Sequence, residues 1–225
     1  MPDVVHTIIM FSRTLKCLSL TALLTLGSTT ALSGAHSFQI PPSYEVTETF
    51  CKFTFEDFHL QIKPLGDLIS KGEGDYNAVN RGYAGDTPGG IKGLTGMTFE
   101  NYTVGQVIDM QRRRVYAVGR YQFIPSTLRF AVAMSDVDEL DMFTPDTQDK
   151  LFAALILFKR PAVGAYLRGN HDHIGWALNE LAKEWASVEY RQGRGFYDHV
   201  GGNRARITRS DAKKTLESVR ATIAK

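Results

Sequence analysis

"PLGDLISKGEGDYNAVNRGYAGD", residues 64–86, is the stretch on which the reading of this chain turns. Pro64 suits the first turn of a helix, where its missing N–H would have no partner anyway. "PLGDLISKG" then runs as a helix to a glycine stop at Gly72. Glu73 falls just beyond that C-terminal end. The helix dipole there disfavours an anion, which pushes a carboxyl pKa upward. A carboxyl that keeps its proton near neutral pH is what a general acid requires. A tight turn would account for the glycines around Glu73, but a catalytic acid at the mouth of a groove accounts for the whole stretch. Residues 76–100 carry six glycines, small polar groups and few apolar runs, and read as a small β-rich or irregular lobe.

Downstream the pattern is helical. Thr103 caps a helix running through about Arg113, and another begins at Pro125, Ser126 and Thr127. "TPDTQDKLFAALILFKR", from Thr144, has a threonine cap, Pro145 in its first turn and acids at its start, and it ends at Pro161. "DHIGWALNELAKEWAS", from Asp172, is amphipathic, with Asp172 as its candidate cap. A glycine-rich loop over 193–202 precedes a last helix from about Ser210 to Ala224. The fold class is therefore mainly α, with one small polar lobe.

At 225 residues the chain suits one domain with an appended segment, and 43% hydrophobic content supplies a core without disulfide staples. A net charge of +2 is too small to indicate a nucleic-acid partner. Residues 1–35 read as a signal peptide: Arg13 and Lys16, then the apolar "CLSLTALLTLG", then the small residues of "ALSGA". The apolar run is too short for a stable membrane span. The expected location is periplasmic or secreted. Residues 36–62 form an N-terminal extension in which "YEVTETFCKFTF" alternates as a possible strand. Cys51 is left as a lone, buried thiol after leader removal, which excludes a disulfide within the chain.

"VGRYQFIPSTLRF", residues 118–130, combines a glycine that allows close backbone approach, the flat face of Tyr121, and the donor and acceptor of Gln122. Sugars are bound by this mix of aromatic faces and amides; a helix entry with Gln122 bonded to backbone is the alternative. "HDH" at 171–173 lacks a third metal ligand nearby, and "DVDELD" at 136–141 lacks the glycine and the terminal glutamate of a calcium loop. No metal and no cofactor are expected. Arg112, Arg113 and Arg114 read as a solvated helix face. They could also help hold an anionic wall polymer, as could Arg191, Arg194, Arg204 and Arg206.

"GRYQFIPST" resembles the Gly-x-x-Gln-Phe-Met-Pro-Ser stretch of lysozyme-superfamily lytic transglycosylases, and "GRYQ" also stands in the lambda-type phage endolysins of that superfamily. Three more features follow in the same order: Glu73-Gly74 after a first helix and ahead of a Gly-rich lobe, "FTPDTQDKLFAALIL", and "EWASVEYRQGRGFY". The resemblance covers about residues 60–224 and implies a lysozyme-like α+β catalytic domain over 63–225, in which a helical lobe and a small lobe flank a glycan groove. It implies Glu73 as the catalytic acid, with Tyr121 and Gln122 lining the groove and Tyr197 as a further candidate. Tyr76 and Asn77, just after Glu73, either contact the glycan or build the lobe. The implied substrate is the glycan strand of peptidoglycan.

Hydrolysis would require a second carboxylate. Asp75 and Asp86 are the candidates, and each also reads as an ordinary turn residue. A lytic transglycosylase needs no second acid, because the C6 hydroxyl of the muramic sugar attacks its own C1. A hydrolytic muramidase, a glycosidase of other N-acetylglucosamine polymers and a non-catalytic wall-binding component are the competing readings.

Overall fold

The computed structural model describes residues 55–224. The expected leader over 1–35, Cys51 and all but the last residue of the expected strand at 44–55 lie outside the described residues. Phe55 itself opens a helix, α1 (Phe55–Gln61), and α2 (Lys63–Glu73) follows after Ile62 alone. Phe58 and Ile62 are fully buried. The folded unit thus begins at Phe55 rather than at 63, and the end of the presumed extension belongs to the core.

Beyond α2 the chain forms β1 (Val79–Asn80), α3 (Gly90–Thr95), α4 (Val104–Gln111) and β2 (Ala117–Val118). β1 and β2 pair antiparallel, Val79 opposite Val118 and Asn80 opposite Ala117. This pairing brings the "GRYQ" segment against the stretch that follows Glu73. The region between is short helices and 3-10 turns around two short strands, so the expected lobe is irregular and more helical than β-rich. The Thr103 cap on α4 is a full capping box: its side chain accepts from Gln106 N–H while Gln106 Oε1 accepts from Thr103 N–H. Such caps contribute about 1 kcal/mol each.

α5 (Pro125–Ala133) and α6 (Pro145–Ala154) start on prolines, with Thr144 capping α6 through Thr147 N–H. The long helix expected through Arg160 loses α geometry at its end, where Leu155–Lys159 form a π turn. There Lys159 Nζ and Arg160 Nε each reach the buried Glu184 carboxylate at 2.7 Å. Pro161 both stops that segment and opens α7 (Pro161–Leu167). α8 (Ile174–Glu184) follows, then the hairpin β3 (Glu189–Arg191) and β4 (Arg194–Gly195), then α9 (Arg209–Ile223). The expected Asp172 cap is not made: His173 is the N-cap without a side-chain bond, and the Asp172 carboxylate accepts from Arg220 at 2.5 Å instead.

The chain is mainly helical. α1 lies on α6, α2 on α9 and α6, and α7 on α8. Between them Leu65 and Ile69 of α2 meet a core that includes Phe123, Phe143, Phe152, Leu155 and Trp185. Each such side chain contributes roughly 1.5–3 kcal/mol on burial. That core fixes the end of α2, and with it Glu73. Among the described residues no helix is long and apolar enough to cross a membrane.

Candidate active site

Glu73 is the last residue of α2, not the first residue beyond it. The helix stops one residue later, at Gly74, whose φ of 138° is open to glycine and whose N–H bonds Ser70 O at 2.9 Å. Gly72 is a helix residue with a different task. A Cβ there would lie 2.3 Å from Ser187 Cβ and 2.4 Å from its Oγ, so only glycine lets α2 pass this close to Ser187.

Ser187 uses that closeness. Its hydroxyl donates to Glu73 Oε1 at 2.5 Å and its backbone N–H to the same oxygen at 3.3 Å. Its carbonyl accepts the N–H groups of Arg206 and Ile207 at 2.7 and 2.9 Å. Two residues earlier, Trp185 Nε1 donates to Tyr121 O at 3.2 Å. Ser187 therefore joins the end of α2, the turn after α8 and the strand-like entry to α9.

Glu73 opens onto a groove of ≈ 540 Å³ whose lining includes Asp75, Asn77, Asp86, Gln122 and Arg206. Burial pushes the Glu73 carboxyl above its ordinary range. The two Ser187 hydrogen bonds and the positive charge of Arg206 oppose this, while the negative charge of Asp86 adds to it. The direction expected from the sequence is found, but burial is its leading cause rather than the helix dipole.

The remaining candidates divide. Gln122 lines the groove, with its backbone at φ 48°, a left-handed conformation uncommon outside glycine, and its Nε2 donating to Gly119 O at 3.0 Å. Asn77 reaches the groove too, yet its side-chain oxygen accepts from Phe99 N–H at 2.9 Å and so ties the lobe together. Asp75 is exposed and accepts from Asn77 N–H at 2.8 Å, the bond of a turn. Asp86 accepts from Asn80 Nδ2 at 2.8 Å while facing the groove.

Tyr121 is not a groove residue. It is 3% exposed, stacked on Phe152 at 4.2 Å, and donates its hydroxyl to Asp149 at 2.6 Å. Tyr76 also turns to Asp149, at 3.1 Å, and accepts from Arg120 Nη1 at 2.6 Å. Arg120 further bonds Asp67 and Ser70 on α2. Gln148, fully buried, accepts from Arg120 N–H at 3.0 Å and donates to Tyr76 O at 3.0 Å. The close approach expected of Gly119 is to this amide, since a Cβ would sit 2.3 Å from Gln148 Oε1. "GRYQ" is thus mostly a buried polar joint between α2, α6 and the small lobe, and only its glutamine faces the groove. Tyr197 donates its hydroxyl to Lys183 O at 2.8 Å, away from the groove lining.

Sequence reasoning missed Ser187 as a partner of Glu73, although "EWAS" was among the stretches it singled out. It missed Arg120, Gln148 and Asp149 as a network. Arg112, Arg113 and Arg114 line a separate groove of ≈ 470 Å³ between α3 and α4. Among the described residues no three His, Cys, Asp or Glu side chains converge as a metal site. The arrangement can hold one protonated carboxyl at the floor of a polar groove, with one oxygen engaged by Ser187 and the other left for a ligand. Comparison of the chain with family models, with curated proteins and with solved structures finds no match.

Proposed function

We propose that this chain is an exported lytic transglycosylase that cuts peptidoglycan glycan strands between N-acetylmuramic acid and N-acetylglucosamine, on a lysozyme-like fold. The observation that carries the reading is Glu73: a carboxyl raised in pKa by burial, at a helix end, in a polar groove that Asp75 and Asp86 also line.

With Oε1 held by Ser187, Oε2 carries the proton towards the groove. Glu73 gives that proton to the bridging oxygen as the bond from C1 of the muramic sugar to that oxygen breaks. The ionised carboxylate then takes the proton of the C6 hydroxyl as that oxygen bonds C1. The 1,6-anhydro ring closes and Glu73 is left protonated for the next cycle. Because the nucleophile is already tethered to the sugar, its attack is intramolecular and no bound water has to be positioned. General acid–base catalysis of this kind supplies typically 10²–10⁴-fold. Gln122 offers an amide to sugar hydroxyl or N-acetyl groups.

The presence of Asp86 on the same groove favours one second reading, a hydrolytic muramidase in which Asp86 activates water. A glycosidase of other N-acetylglucosamine polymers and a wall-binding component without catalysis would use the same groove. Glu73→Gln decides between catalysis and binding. The variant should still sediment with purified wall sacculi while no longer clearing them. Clearing at the wild-type rate would overturn the assignment of Glu73.

A further inference from the structure

Glycine leaves the chain its greatest backbone freedom, and Glu73 stands between two of them, Gly72 and Gly74. One side chain spans that stretch. Arg120 Nη2 donates at 3.2 Å to the hydroxyl of Ser70, three residues before Glu73, and also bonds the Asp67 carboxylate, which balances its charge. Arg120 Nη1 donates at 2.6 Å to the hydroxyl oxygen of Tyr76, three residues after Glu73. The guanidinium carbon also lies 4.8 Å from the centre of the Tyr76 ring. Arg120 is itself fixed in place. It is buried, and its N–H donates to Gln148 Oε1 at 3.0 Å. On either side of it, Gly119 N–H donates to Ala78 O at 2.8 Å and Tyr121 O accepts from Trp185 Nε1 at 3.2 Å. This segment therefore holds the chain before and after Glu73, while Ser187 holds one oxygen of its carboxyl.

We infer that Arg120 is a positioning residue for Glu73, which governs the rate of bond cleavage by clamping the chain across the two glycines. The inference rests on the proposed glycan-cleaving function and adds a residue to it. Arg120 is not among the described residues that line the groove, so it acts through Glu73 rather than on the sugar. Placement of Glu73 enters the cycle twice, once when it gives a proton to the bridging oxygen and once when it takes the proton of the C6 hydroxyl. A misplacement of about 1 Å costs on the order of 100-fold in rate. A guanidinium is a planar fork that bonds in several directions at once, whereas a lysine ammonium carries the same charge on one centre. Arg120→Lys therefore keeps the charge beside Asp67 and loses the span from Ser70 to Tyr76. Tyr76→Phe keeps the ring and loses the hydroxyl that Arg120 and Asp149 share.

The test is steady-state kinetics on soluble N-acetylglucosamine–N-acetylmuramic acid oligomers, at a temperature where thermal melts show each variant folded. In Arg120→Lys, kcat should fall about tenfold or more while KM stays within about twofold of the wild type. Tyr76→Phe should show the same split to a smaller extent, and it carries the test alone if Arg120→Lys does not fold. Thr103→Ala, which removes the cap of α4, is the control for lost stability and should leave kcat unchanged. Wild-type kcat in Arg120→Lys or in Tyr76→Phe overturns the inference. So does a raised KM at unchanged kcat, which would make Arg120 a binding residue. An equal fall of kcat in Thr103→Ala also overturns it, by reducing the effect to general stability. No turnover by the wild type would overturn the glycan-cleaving reading and the role of Arg120 with it.

Discussion

The Ser187 hydroxyl donates to Glu73 Oε1 at 2.5 Å, and the Ser187 N–H approaches the same oxygen at 3.3 Å. Both bonds stabilise the ionised carboxylate and so hold down a pKa that burial raises. Removing the hydroxyl in Ser187→Ala should let that pKa rise further, because a hydrogen bond to the charged form is lost. The alkaline limb of the pH–rate profile should move up accordingly. The rate at the optimum should fall about tenfold or more as the carboxyl loses its fixed orientation. A profile unchanged in position would mean that Ser187 does not govern Glu73.

Gly72 is the condition for that contact. Gly72→Ala puts a methyl group 2.3 Å from Ser187 Cβ, closer than any real contact. Relief requires α2 and the turn after α8 to separate. The expected cost is about 1–3 kcal/mol of stability, read by denaturant titration, together with a loss of wall-clearing activity larger than the stability loss explains.

Burial of Glu73 also makes a statement about stability. Its folded pKa is raised, so its contribution is present below the unfolded pKa of about 4.3 and is lost as pH rises through the folded value. Glu73→Gln retains the acceptor for Ser187 and never ionises. The variant's melting temperature should match the wild type near about pH 4 and exceed it near about pH 8. A lower melting temperature at the higher pH would contradict the raised pKa.

Tyr121 should matter to folding and not to sugar binding. Its ring is stacked on Phe152 and its hydroxyl serves Asp149. Tyr121→Phe keeps the packing but leaves Asp149, among the described residues, with Tyr76 and the Lys63 ammonium at 3.5 Å. A cost of about 1–3 kcal/mol is expected, with the affinity of the Glu73→Gln background for glycan unchanged. Weaker glycan binding at undiminished stability would return Tyr121 to the groove.

The elements that signal themselves locally were legible in the sequence. Thr103, Thr144, Pro125 and Pro145 mark helix starts through side-chain caps and fixed backbone angles, and the structure starts helices there. Gly72 misled because a glycine near a helix end is ambiguous. Its role is set by Ser187, 115 positions further along in the sequence, and only the fold brings the two together. Asp172 misled in the same way, since Arg220 on α9 competes for its carboxylate. Tyr121 was misplaced because an aromatic beside a glycine has one composition whether it faces a groove or a core, and the deciding partners, Phe152 and Asp149, lie on α6. The place of Glu73 at a helix end was legible from the two glycines that flank it. Its partner was not, because nothing local to Ser187 indicates that it faces a carboxylate.

The most direct measurement is mass spectrometry of the soluble fragments released from purified peptidoglycan by the wild type and by Glu73→Gln. The account predicts fragments ending in 1,6-anhydro-muramic acid, lighter by one water than hydrolysed ends, from the wild type and none from the variant. Anhydro-ended fragments released equally by Glu73→Gln, or no fragments from the wild type, would contradict it.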